Sequence, residues 1–418
     1  MIEIPLITRV EGHGHLNIRI EDGSVDVNFG IHEGPRYFEA ILVGRKWYEV
    51  PEIASRICGI CTVIHAICAA KAVENAANFQ DELLDTYRNL MIYSSHIQSH
   101  VLHLYFLAWP DFVNKDSVIS AYPEYGEIIK KAFKLKGITN ELTEMFGARK
   151  VHPATVVPGK FTKDITIREL EYYVKRMKEI LPLLKETAEF FSGLNYPDVK
   201  TDGVHLALTD DRTVPLYRGD LKIFGGERFS PANYKNYIKE KVVPPNTTKR
   251  SYYNGKPIMV GALPRLNINN RYLREEAREF FSSPSENVML NNLAQAVECY
   301  HYGLVAIETA EELIAKRKEY TSRNVEFRFR NSEGISAVEA PRGVLIHHYV
   351  LNGDEVKYAN IITPTAINFE HIERAVYSRV VEIINEDEET IKFEAEKVIR
   401  AYDVCISCSA HVVKITKN

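Results

Sequence analysis

The chain has 418 residues, with 52 Lys and Arg against 56 Asp and Glu and a net charge of −4. That balance provides no basic field for nucleic acid, and no segment gathers Lys and Arg into a binding stripe. No run of about 18 apolar residues exists to span a bilayer, because the apolar stretch 102–109 is too short. Residues 1–16 mix Glu3, Arg9, Glu11 and two histidines into their apolar positions, which a secretory signal does not do. A soluble, cytoplasmic chain with no membrane span of its own is expected.

In chain order, residues 15–20 alternate, Asp22-Gly23 turns, and residues 25–29 alternate back, which predicts a β-hairpin. Apolar residues at three- and four-residue spacing then predict helices over about 51–77, 82–109, 167–194, 286–320 and 367–402. Pro182 is expected to kink or break its helix. Residues 203–264, enriched in Pro, Gly, Asn and Tyr, read as irregular. A second hairpin is predicted where 343–350 meets Asn352-Gly353 and returns over 356–362. Two isolated hairpins are marginal, so they are expected to share one sheet. The fold class is mainly α (α+β): a long-helix bundle with a small peripheral antiparallel β-sheet.

Six cysteines are present, and four of them form two CxxC pairs near opposite ends of the chain. These are Arg56-Ile57-Cys58-Gly59-Ile60-Cys61 and Asp403-Val404-Cys405-Ile406-Ser407-Cys408. Two such pairs meeting in space supply four thiolates, a set that suits zinc, an iron-sulfur centre or a nickel-iron pair. A structural zinc ribbon closes a spacer of about 15 to 20 residues, whereas here the spacer is most of the protein. A loop that long closes only where the surrounding fold already places both ends. His65 lies one turn after Cys61 and could face the same site. His96, His100 and His103 share a helical face without a comparable motif and read as packing and hydrogen-bonding groups. Cys68 and Cys299 read as buried structural thiols.

These residues carry a specific resemblance. The chain resembles the large, catalytic subunit of the nickel-iron hydrogenases, most of all the cytosolic NAD(P)-linked and sulfhydrogenase group. Arg56 to His65 fits the family's RxCGxCxxxH motif, and Asp403 to His411 fits its DPCxxCxxH motif, with Val404 in place of the proline. Arg9-Val10-Glu11-Gly12-His13, Pro35 to Glu39, His152-Pro153 with Gly159, and Glu339-Ala340-Pro341-Arg342-Gly343 also match.

The resemblance implies a single large-subunit domain over 1–418. It divides into a β region at 1–50, a helical core at about 51–330, a hairpin and C-terminal helix with the metal motif at about 331–411, and a removable extension at 412–418. It implies that Cys58 and Cys405 are terminal ligands of nickel, while Cys61 and Cys408 bridge nickel to an iron that carries carbon monoxide and cyanide. Arg342, with Pro341, Thr363, Pro364, Thr365 and His65, would wall the diatomic ligands. Cys405 would take the proton of H2 and pass it to Glu11, with Arg342 as a second base or an electrostatic clamp. Glu39 and His411 would belong to a second site holding magnesium or iron. Too few cysteines remain for an iron-sulfur wire, so the implied partners are an iron-sulfur small subunit, flavin and NAD(P) electron-transfer subunits, and a maturation endopeptidase that cuts after His411. The competing readings are a non-catalytic coupling subunit of a respiratory-type complex and a structural zinc protein.

Overall fold

The computed structural model describes residues 1–410, so His411 and the extension at 412–418 lie outside the described residues. Four helices, Glu82–Leu102, Val118–Gly147, Ile167–Ser192 and Asn291–Ala315, pack in a ring in which each touches two others. Local chemistry starts them. Asp81 accepts from the amides of Leu83 and Leu84, and Thr166 and Glu169 form a reciprocal capping box. The ring is the helical bundle expected from the periodicity. The apolar periodicity does not predict the helix Val118–Gly147.

The helix Thr62–Ala76 lies between this bundle and a long β-hairpin, and every residue in it except Asn75 is buried. A helix apolar on all sides belongs in a core. The hairpin strands Phe329–Ala340 and Gly343–Gly353 pair antiparallel, with Ala340 opposite Gly343, and Glu355–Ile362 adds a third strand. Gly334 permits the close approach of strand to helix, since a Cβ there would collide with the carbonyl of Ala72.

Several boundaries differ from those predicted, for local reasons. The 51–77 helix is two helices, Val50–Ser55 and Thr62–Ala76. Between them the amides of Ile60 and Cys61 donate to Cys58 Sγ and so leave the helical ladder. The 367–402 helix is likewise divided into Pro364–Glu382 and Glu388–Ala401, because Asp387 caps the second by accepting from Thr390 N. Pro182 does not end its helix, which runs unbroken from Ile167 to Ser192. Ile180 and Leu184 on either side are fully buried, and that packing offsets the one lost backbone bond.

The two hairpins do not share a sheet. Gly14–Glu21 pairs with Ser24–Ile31 on one side and Ile2–Ile4 on the other in a separate antiparallel sheet, packed on the helix Pro364–Glu382. Each hairpin gains a third strand and its own helical cover, so neither needs the other. The stretch expected to be irregular contains a six-stranded sheet, in which Val204–Thr209 and Lys256–Met259 run parallel and all other neighbours run antiparallel. Its strands are two to six residues long, too short for a periodicity to register.

Candidate metal centre

Both CxxC pairs sit at helix starts. Cys61 immediately precedes the helix Thr62–Ala76, and Cys405 immediately precedes the short helix Ile406–Ser409 that contains Cys408. The four Sγ atoms lie within 4.8 Å of one another. Cys58 is 3.4 Å from Cys405, Cys61 is 3.4 Å from Cys408, and Cys405 is 2.7 Å from Cys408. None is more than 4% exposed.

The electrostatics of this tetrad fit a cation. Hydrogen bonds from the thiols of Cys405, Cys408 and Cys61 hold Cys58 well below the usual thiol range. Burial pushes Cys405 and Cys408 well above it. Four thiolates at this separation require metal charge to balance them. Soft sulfur donors in a closed, dry site suit nickel and iron as well as zinc.

Charged groups flank the sulfurs. Glu11 pairs with Cys405 in an isolated parallel bridge, its carbonyl accepting from Ile406 N at 2.9 Å. Its carboxylate Oε2 accepts from Ser407 N at 3.1 Å and from the Cys405 thiol at 3.0 Å. Arg342, in the turn between the two long strands, is 3% exposed. Its Nε donates to the Asp403 carbonyl at 2.6 Å and its Nη2 pairs with Asp403 Oδ1 at 2.9 Å. Its Nη1 is buried without a hydrogen-bond partner among the described residues. Burial works against the guanidinium charge, but Asp403 and the sulfurs of Cys405, Cys61 and Cys58 outweigh it.

The other expected residues fall around the tetrad in different ways. His65 Nε2 is 3.9 Å from Cys408 Sγ, and its Nδ1 is 3.2 Å from His347 Nε2. Thr363 donates to the Cys408 carbonyl and Thr365 accepts from Cys405 N, so both hold the cysteine backbone. Pro364 opens the helix between them. The Pro341 carbonyl accepts from Arg265, which also pairs with Glu298 and Glu339, so a fully buried cation fixes the turn that presents Arg342. Glu39 accepts from Ile361 N at 3.2 Å and faces Lys249 at 3.7 Å. His411 lies outside the described residues, although Ala410 just before it accepts from Arg36 N, three residues from Glu39.

Asp403, His347 and Arg265 support the site without having been expected from their sequence motifs to do so. Asp403 was legible as a neighbour of Cys405 in the motif. The other two had no signal beyond being charged or ionisable residues in apolar surroundings. His96, His100 and His103 are buried and bonded to the Ile92 carbonyl, Glu298, and Gln295 with the Arg400 carbonyl, respectively. Cys68 and Cys299 are fully buried and apart from the tetrad.

Four buried thiols delivered from remote segments, flanked by a carboxyl and a guanidinium, define a thiolate metalloenzyme whose site is closed by the fold itself. Residues 36–135 and 233–411 match the family model described as nickel-dependent hydrogenase, and the chain belongs to that family of oxidoreductases acting on H2. It is 38% identical to the sulfhydrogenase 1 subunit alpha of Pyrococcus furiosus, over 99% of this chain and 98% of that protein. It is 35% identical to the sulfhydrogenase 2 subunit alpha of the same organism, over 99% of this chain and all of that protein. Among solved structures it is similar to an NAD+-reducing NiFe-hydrogenase in the H2-reduced state, with TM-score 0.86 and 26% identity, covering 98% of this chain and 99% of that one. The NiFeSe hydrogenase of Desulfomicrobium baculatum shares the fold, with TM-score 0.77 and 22% identity over 98% of this chain and all of that one.

Proposed function

We propose that this chain is the catalytic subunit of a multi-subunit nickel-iron hydrogenase that splits H2 reversibly and heterolytically into protons and electrons. The observation that carries this reading is the closed set of four sulfurs with the Glu11 carboxylate 3.0 Å from one of them. Cys58, Cys61, Cys405 and Cys408 would together hold a nickel-iron pair whose iron would carry carbon monoxide and cyanide. Bound there, the metal pair supplies Lewis acidity and redox capacity toward H2. The chain's own contribution is protonic and electrostatic. Cys405 receives a proton and donates it to Glu11, which lies within hydrogen-bond reach. The Arg342 guanidinium, fixed by Asp403, counters the negative charge of the thiolates and keeps its Nη1 donor available on the inner face. Arg342, Pro341, Thr363, Pro364, Thr365 and His65 shape the wall and exclude water.

Electrons leave through partners in this reading. Four of the six cysteines are in the tetrad, and Cys68 and Cys299 are buried apart from it, leaving this chain no set of thiols for an iron-sulfur cluster. An iron-sulfur small subunit is therefore required. The similarity to sulfhydrogenase alpha subunits and to an NAD+-reducing hydrogenase supports flavin- and NAD(P)-binding subunits beyond it. Among the described residues no helix is long and apolar enough to cross a membrane. Glu39 and His411 would hold magnesium or iron at a second site, and a maturation endopeptidase would release residues 412–418.

Metal analysis of the purified complex tests the reading, paired with infrared spectroscopy for metal-bound carbon monoxide and cyanide. Nickel and iron with those bands are expected. Zinc alone would make the tetrad structural, and a metal-free, inactive complex would make this a coupling subunit.

A further inference from the structure

One carboxylate outside the metal centre ties together the two segments that carry Glu11 and Cys405. Asp111, 2% exposed, lies in the 3-10 turn Trp109–Phe112, which follows the π-helical segment His103–Ala108 that continues the bundle helix Glu82–Leu102. Its Oδ1 pairs with Arg9 Nη2, and Arg9 Nη1 donates to the Leu107 carbonyl at 2.7 Å. From the other side Arg400 grips it in a fork, with Nε to Oδ2 at 2.7 Å and Nη2 to Oδ1 at 3.0 Å. Arg400 also donates to the Thr8 carbonyl at 3.2 Å, and its own carbonyl accepts from His103 Nε2 at 2.7 Å. Arg9 is two residues before Glu11, and Arg400 is five before Cys405.

The backbone between these anchors is held in a shape it would not keep alone. Arg9 adopts φ 57 and Gly12 φ 86, both in the left-handed region. A Cβ at Gly12 would collide with the Ile406 side chain, so the turn lies directly against the segment that carries Cys405. A left-handed arginine persists only where its surroundings over-determine it, and the double grip of Leu107 and Asp111 on its guanidinium does so. We propose that Asp111 is a positioning residue for the proton-relay pair, setting the Glu11 carboxylate against Cys405; this role rests on the relay reading above. Without its charge Arg9 and Arg400 lose the one carboxylate they share; Glu396, 3.4 Å from Arg400 Nη1, remains beside Arg400 alone, so the link from Arg9 to segment 400–408 is lost.

The test uses Asp111→Asn and the milder Arg9→Lys, which keeps the charge but cannot span the Leu107 carbonyl and Asp111 together, in the complete complex. The first readout is amide hydrogen exchange, which requires no turnover. Exchange at Ile406 and Ser407, whose amides bond to Glu11, should accelerate about tenfold while the helix Asn291–Ala315 is unchanged. The second is H2 oxidation at normal nickel and iron content. We expect kcat to fall by about 10- to 100-fold with KM for H2 unchanged, the scale expected for misplacing a catalytic group by about 1 Å. In a Glu11→Gln background the same substitution should cause no further loss, because coupled residues are not additive. Equal losses in both backgrounds, or unchanged exchange at Ile406 and Ser407, would overturn the proposal. So would unfolding of the whole subunit in both variants, which would make Asp111 a determinant of the fold. Full activity of Glu11→Gln with local acceleration of exchange in Asp111→Asn would refute the relay alone and leave the positioning standing.

Discussion

Replacing Glu11 by Gln separates building the metal centre from using it. The carboxylate has two contacts at its outer oxygen, the Ser407 amide at 3.1 Å and the Cys405 thiol at 3.0 Å. Glutamine has the same length and retains an acceptor for Ser407 N, so the turn at 9–12 and the bridge to Cys405 should remain as they are. What disappears is the group that can take and release a proton. General acid-base groups contribute about 10²- to 10⁴-fold, and the lower end applies here, since Ser407 Oγ also donates to Glu33 at 3.2 Å and offers a second acceptor nearby. A loss of about 100-fold in H2 oxidation corresponds to about 2.7 kcal/mol in the barrier. Nickel and iron content and the infrared bands should be those of the parent. Glu11→Asp draws the carboxyl back by one bond, from 3.0 Å to roughly 4.5 Å from sulfur, so transfer would need one bridging water and activity should be intermediate. Parent-like turnover in the Gln variant would refute the relay, and loss of metal in that variant would show that Glu11 is structural.

Each of Cys58, Cys61, Cys405 and Cys408 replaced by Ser should abolish H2 turnover, because a hydroxyl is a hard donor and stays protonated where a thiolate is needed; full activity in any one would remove that residue from the ligand set. Cys68→Ala and Cys299→Ala should retain nickel, since burial pushes Cys68 up to about 12 and Cys299 well above the usual range, leaving both as neutral packing groups. Lys71, buried near the middle of the helix Thr62–Ala76 and bonded to the Tyr217 carbonyl, is lowered to about 7 by desolvation. Its folded value lies below its unfolded one, so its contribution to stability is present above the unfolded value and is lost as pH falls toward 7. The parent should therefore gain about 2 kcal/mol relative to Lys71→Met between pH 7 and 9 in denaturant titrations, and parallel pH profiles would contradict this. Intact-mass measurement of the active subunit should find a chain ending at His411, and a fully active, nickel-loaded subunit still carrying residues 412–418 would contradict processing.

The candidate metal site was legible because the four cysteines that could hold a metal come in local pairs, and a pair within one turn advertises itself regardless of the fold. The helices of the bundle were legible where the apolar stripe was long, as at 82–109 and 167–194, and their caps lay in the sequence as Asp81 and Thr166-Glu169. The helix Val118–Gly147 escaped notice because Pro123 and Gly126 interrupt its first turns and its apolar stripe is narrow. The short strands between 204 and 259 carry no period long enough to see, and they form only because the sheet pairs them.

Which atoms could bind metal follows from the amino-acid order alone, since sulfur chemistry and CxxC spacing do not depend on distant residues. That residue 58 meets residue 405, that Arg342 turns onto Asp403 and that Glu11 reaches Cys405 are consequences of long-range packing. Those contacts join positions 61 to 394 residues apart and depend on buried groups such as Arg265 and Asp111, whose neighbours come from separate elements. A charge in an apolar stretch looks alike whether it will be solvated or paired, and only packing decides which.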